Sequence, residues 1–221
     1  MVRTLASKLT DQFLLTYLLN DLSRRTGFIY ETKMHKLAFI SEREMVNNCE
    51  KGFNYYFIKL YHGPYSFELN DDLNDFAQSE IIVTEPSDKG TTIIPTEKCT
   101  RILSDFGSLA RRNRVFLRRI DHVNRRYGTL GLTKLLNAVY HMQSPLHEYE
   151  KQRRPPTIAS LPLRAPLIKA ISDEVAKTAF SITREEIATL EIYFDKEAFD
   201  SLTQASESAK KEHLLNSHDV F

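Results

Sequence analysis

Ile81-Ile82-Val83-Thr84-Glu85-Pro86-Ser87-Asp88-Lys89-Gly90-Thr91-Thr92-Ile93-Ile94 holds two β-branched runs on either side of a Pro/Asp/Gly turn. Such runs favour extended backbone and the turn residues fold it back, so the stretch predicts a β-hairpin. Helical patterning precedes it. Phe13, Leu14, Tyr17, Leu18 and Leu22 recur at helical spacing, with Gly27 placed to stop that helix. Thr32 is read as the N-cap of a second helix, with Met34, Leu37, Ala38 and Met45 near one face and Gly52 as its end. The aromatic run Phe53 to Tyr61 reads as a strand, Gly63-Pro64 breaks it, and Ser66 caps a third helix carrying Leu69, Leu73 and Phe76. Glu68, Asp71 and Asp72 in the first turns of that helix suit the positive end of its dipole.

After the hairpin, helical patterning returns from Thr96 to about Tyr127, bent near Gly107, and again over Leu132 to Met142. Residues 153–166 hold four of the eight prolines and read as a linker or a surface strap. Short amphipathic helices are expected around Ile168–Ala179, Thr183–Tyr193 and Lys196–Ser206. The expected fold is therefore mainly α with a small β component, an α+β chain with one strand and one hairpin. Three helices leading into a hairpin is also the order of a winged-helix domain. The expected division is 1–152 as the main domain, 153–166 as the strap, and 167–221 as an acidic helical extension with a mobile tail from residue 205.

The chain has 221 residues, a formal net charge of +1, and 42% hydrophobic residues including 13 Phe and 10 Tyr, enough to fill a core. Its charge is uneven. From Thr96 to Arg126 nine basic residues face three acidic ones; from Ser172 to Phe221 five basic face eleven acidic. The two cysteines, Cys49 and Cys99, lie fifty residues apart, and no stretch is apolar enough to be a signal segment or to cross a bilayer. A cytoplasmic protein is expected.

Phe13-Leu14-Leu15-Thr16-Tyr17-Leu18-Leu19, Thr32-Lys33-Met34-His35-Lys36-Leu37-Ala38-Phe39, the aromatic run into Gly63-Pro64-Tyr65-Ser66, and the helix leading to Ile81-Ile82 follow in that order. In that order and spacing they resemble the Panacea (SocA-like) antitoxin domain over about residues 10–143. The resemblance implies an antitoxin that binds and neutralises a partner toxin, usually encoded by a neighbouring gene; some relatives act as adaptors for proteolysis. It does not extend past Pro155.

Two candidate surfaces emerge. In Tyr61-His62-Gly63-Pro64-Tyr65-Ser66, Gly63 permits an unusual backbone angle, Pro64 fixes the start of a helix and Ser66 caps it. A rigid turn of that kind would also offer Tyr61, His62 and Tyr65 to a toxin. Between residues 111 and 126, Arg111, Arg118 and Arg125 are seven apart, as are Arg112, Arg119 and Arg126, so a continuous helix would carry two adjacent basic stripes. These arginines are read as a solvated face, as partners of the acidic C-terminal region, or as a site for nucleic acid or an acidic protein. The alternative function is accordingly a winged-helix nucleic-acid-binding regulator. No catalytic or cofactor motif stands in the sequence, so neither an enzyme nor a cofactor is expected. His141, His147 and Glu148 match no standard metal spacing, and Cys99 reads as a small core residue.

Overall fold

The computed structural model describes residues 3–88, 90–144, 146, 155–168, 171, 172, 174–205 and 208. Thr4 caps helix α1 (Leu5–Thr26) by accepting from Ser7 N at 3.1 Å, and Gly27, at φ 77°, closes it. Leu9, Phe13, Leu14, Leu15, Leu18, Leu19 and Leu22 are all buried, so α1 is the central helix of the core. Strand β1 (Ile29–Tyr30) runs directly into α2 (Glu31–Asn47). The hairpin forms as β5 (Ile82–Ser87) and β6 (Gly90–Pro95), and β1 pairs antiparallel with β6 through Ile29 opposite Ile93. Between α2 and the hairpin lies α3 (Phe67–Gln78), capped by Ser66 as its side chain accepts from Leu69 N at 3.3 Å. Strand β1 and the hairpin form one sheet of order β1-β6-β5. The fold is α+β, mainly helical, with three small sheets among the described residues.

Several local expectations are corrected. Thr32 does not cap α2: pairing of β1 with β6 ends at Tyr30, and the helix starts at once at Glu31. Gly52 does not end α2, which stops at Asn47; Gly52 lies where a Cβ would meet Met45 Sδ at 2.4 Å and Phe116 at 3.0 Å. Of the aromatic run, only β3 (Phe57–Leu60) is strand, preceded by the two-residue β2 (Glu50–Lys51). Pro64 belongs to no helix. It sits in β4 (Gly63–Tyr65), which pairs with β3 as a second hairpin, and β4 is an edge strand, where a missing N–H is tolerated.

The long helix after Thr96 is broken into α4 (Glu97–Asp105), α5 (Gly107–Arg112) and α6 (Arg114–Val123), followed by a π-turn over Asn124–Gly128 and then α7 (Leu132–Tyr140). The break at Asn113 is tied by a tertiary contact: its buried side chain donates to Ser181 O and accepts from Ser181 N, both at 2.7 Å. None of the described residues of the helix expected at Ile168–Ala179 is helical. Its ends are instead β7 (Pro166–Ile168), antiparallel to β3, and β8 (Thr178–Ala179), parallel to β2. Backbone pairing with distant strands overrides the local amphipathic spacing there. The stretch 155–168 includes buried Ile158, Leu161 and Leu167, which belong to the same hydrophobic cluster as α1.

Helix α8 (Arg184–Phe194) carries a capping box at Thr183 and Glu186. Its Leu190 and Phe194 join the main core, and Phe194 stacks on Phe76 with centroids 5.4 Å apart. Residues 196–205 are also helical. The tail expected to be mobile falls almost wholly outside the described residues, as do His147 and Glu148.

Candidate functional site

The β3–β4 turn is held from three sides. Leu60 pairs with Gly63, leaving Tyr61 and His62 as a two-residue loop, and Gly63 takes φ 85°, a region closed to most side chains. Tyr140 on α7 donates its hydroxyl to Tyr61 O at 2.8 Å. On the α2 side His35 accepts from Ser66 N through Nδ1 at 3.3 Å, and Tyr65 stacks on the His35 ring with centroids 4.2 Å apart. Burial, then the nearby Lys36 charge, pushes the His35 imidazole down to about 3, so it is neutral at any working pH.

On this frame the Tyr61 side chain is 79% exposed and Phe67 60%, with Phe67 set edge-on to Tyr65 at 5.2 Å. His62 is exposed and Tyr65 half-buried. Tyr61, His62 and Tyr65 thus stand together at one turn. Phe67, His35 and Tyr140 join them, which spacing along the chain does not show. His35 stands among Glu31, Thr32, Lys33 and Lys36 in the polar first turns of α2, so spacing along the chain does not mark it.

The arginines are divided by the helix breaks. Arg112 pairs with Glu186 of α8 and Arg119 holds Glu50 through two bonds of 2.9 and 2.8 Å. These two are structural, and the Arg112 pair joins the basic segment to the acidic one. Arg126 lies over its neighbour Tyr127 and Arg125 is 4.0 Å from Asp121. Arg111 and Arg118 are exposed with no ion pair among the described residues. Helix α3, which precedes the hairpin, carries Glu68, Asp71, Asp72 and Asp75 with no Lys or Arg.

A third cluster lies inside the protein. Arg3 reaches Asp11 at 2.9 Å and Asp72 at 2.8 Å, Tyr55 donates to Asp72 at 2.9 Å, and Asn54 donates to Asp11 from its backbone at 2.6 Å. Burial pushes the Asp11 carboxyl up to about 7 against the opposing pull of Arg3 and Asn54. Glu42, fully enclosed with neither carboxylate oxygen bonded, is held well above its usual value by burial and then by Asp11 and Glu68. Asp11, Asp72 and Glu42 are enclosed, and the bonds of Arg3 to Asp11 and Asp72 tether the N-terminal segment.

Cys99 is a core thiol, pushed up to about 12 by burial. Among the described residues no helix is long and apolar enough to cross a membrane, and no group of His, Cys, Asp and Glu is arranged to hold a metal ion. No protein-family model, no curated protein and no solved structure matches the chain.

Proposed function

We propose that the chain is a cytoplasmic, non-enzymatic antitoxin-type protein that neutralises a partner toxin by binding it across the β3–β4 turn. One observation carries this reading: Tyr61 and Phe67 are large, well exposed aromatics on a backbone fixed by strand pairing, by Tyr140 and by the Tyr65–His35 stack. Rigid aromatics lose little entropy on contact, and truncating one at the centre of an interface costs about 2 kcal/mol or more. The Panacea-like order of motifs supports the same partner class and directs attention to the neighbouring gene. The test is co-expression: the chain restores growth against its neighbour's product, and Tyr61→Ala with Phe67→Ala does not.

A nucleic-acid role draws on the β1-β6-β5 sheet order and on the exposed Arg111 and Arg118. The charge of α3 speaks against it. Asp72 is turned inward to Arg3, but Glu68, Asp71 and Asp75 leave that helix acidic, with no basic residue to meet phosphate. Salt-sensitive binding of the chain to its own promoter, lost on charge reversal at Arg111 and Arg118, would favour the nucleic-acid role instead.

A further inference from the structure

Two carboxylates stand one helical turn from the rings that surround Tyr65. Glu31 opens α2 four residues before His35, on which Tyr65 stacks, and Asp71 follows Phe67 by four residues on α3. Residues four apart on a helix share a face, with Cβ atoms about 5–6 Å apart, so Glu31 and Asp71 bracket the row His35, Tyr65, Phe67. Asp71 is exposed and Glu31 half-buried, and neither has an ion pair or a side-chain hydrogen bond among the described residues. Both charges act on Tyr65: after burial, Glu31 and then Asp71 push its hydroxyl above the ordinary value. The cations nearby lie inside. Lys36, which feels Glu31, is 2% exposed, Lys33 is also buried, and His35 is neutral. Elsewhere on α3, Asp72 is taken up by Arg3 and Asp75 by Lys8. The turn therefore offers a partner the exposed rings of Tyr61 and Phe67, with the unpaired Asp71 beside Phe67.

We infer that this surface takes an arginine of the protein partner, its guanidinium laid against the Phe67 ring and paired with Asp71, with Glu31 adding to the negative field. This rests on the aromatic turn being the partner surface. Arginine suits the site because its planar, weakly hydrated head stacks on an aromatic face and can grip a carboxylate through two N–H groups at once. Apolar residues flanking that arginine pack on Tyr61. A partner with a carboxylate at the same point is repelled, so Glu31 and Asp71 supply selectivity as well as affinity.

The experiment follows the Tyr65 and Phe67 ring resonances of the full chain during titration with acetyl-Leu-Arg-Leu-amide, and with the same peptide carrying uncharged citrulline for arginine. The rings are expected to shift saturably with the arginine peptide, at a dissociation constant of about a few millimolar, and about fivefold more weakly with citrulline. Raising salt from about 20 to about 200 mM weakens the arginine peptide only. Asp71→Asn combined with Glu31→Gln lowers the arginine peptide to the citrulline level, whereas Glu85→Gln, at an exposed carboxylate on the β5–β6 hairpin, leaves it unchanged. Equal binding of the two peptides, or no saturable shift at about 30 mM arginine peptide, overturns the inference. With the toxin in hand, the double carboxamide variant weakens binding by about tenfold or more. Toxin binding that needs Tyr61 and Phe67 but tolerates the double carboxamide variant overturns the arginine site alone; binding that tolerates loss of both aromatics overturns the surface beneath it.

Discussion

Glu42→Gln is expected to stabilise the protein at neutral pH and to do little in acid. Glu42 is fully enclosed, neither carboxylate oxygen has a partner, and Asp11 and Glu68 add negative potential. The native state therefore keeps the proton that the unfolded chain releases near pH 4.5. Between that value and the raised native one, the folded protein binds more protons than the unfolded, so stability falls as pH rises. Each pH unit between 4.5 and the raised native value costs the folded state about 1.4 kcal/mol. Gln removes that cost, though its unpartnered amide takes back about 1–3 kcal/mol. A net gain is expected at pH 7.5, shrinking as pH falls and turning into no gain or a small loss at pH 4.5. Urea unfolding of both proteins at several pH values reads this directly. A difference between them that does not change from pH 4.5 to 7.5 would refute the reasoning, since it would mean Glu42 titrates alike in both states.

Arg3→Met leaves Asp11 and Asp72 buried without their cation, and should cost about 3–5 kcal/mol in urea unfolding, more above pH 7 than near pH 4, where protonated carboxyls need no partner. Asn113→Ala removes both bonds to Ser181 and should cost about 2–4 kcal/mol, with faster amide exchange at Ser181 as the local sign. Glu at all four of Arg111, Arg118, Arg125 and Arg126 should leave toxin neutralisation intact if the proposed surface at the β3–β4 turn is the one that binds; loss of neutralisation in a folded variant would move the interface to the basic face.

The β5–β6 hairpin was legible because its two β-branched runs and its turn residues make the same local statement. The β3–β4 hairpin was hidden by Pro64, which reads as a helix start until the strand is known to be an edge. Strands of two or three residues such as β7 and β8 have no pattern of their own; pairing with Phe57 and Glu50 creates them. Similarly, the seven-residue spacing of the arginines is visible along the chain, but not the carboxylates that Arg112 and Arg119 pair with. Glu186 and Glu50 lie 74 and 69 residues away. At the turn, Tyr61, His62 and Tyr65 could be picked out as aromatic and polar residues beside a Gly-Pro break. Phe67, two residues on, stands in the first turn of a helix, and only its 60% exposure adds it to the surface. Lys36 was harder still, since a lysine in a helix is ordinarily solvated, and its burial follows from the β3–β4 turn folding over α2.

The most direct test of the account is co-expression of the neighbouring gene with this chain and with its Tyr61→Ala, Phe67→Ala double variant, both shown folded by thermal unfolding. The account predicts that the neighbour alone stops growth, that the wild-type chain restores it, and that the double variant, equally folded, does not. Restored growth with the double variant, or a neighbour that is harmless alone, would contradict it.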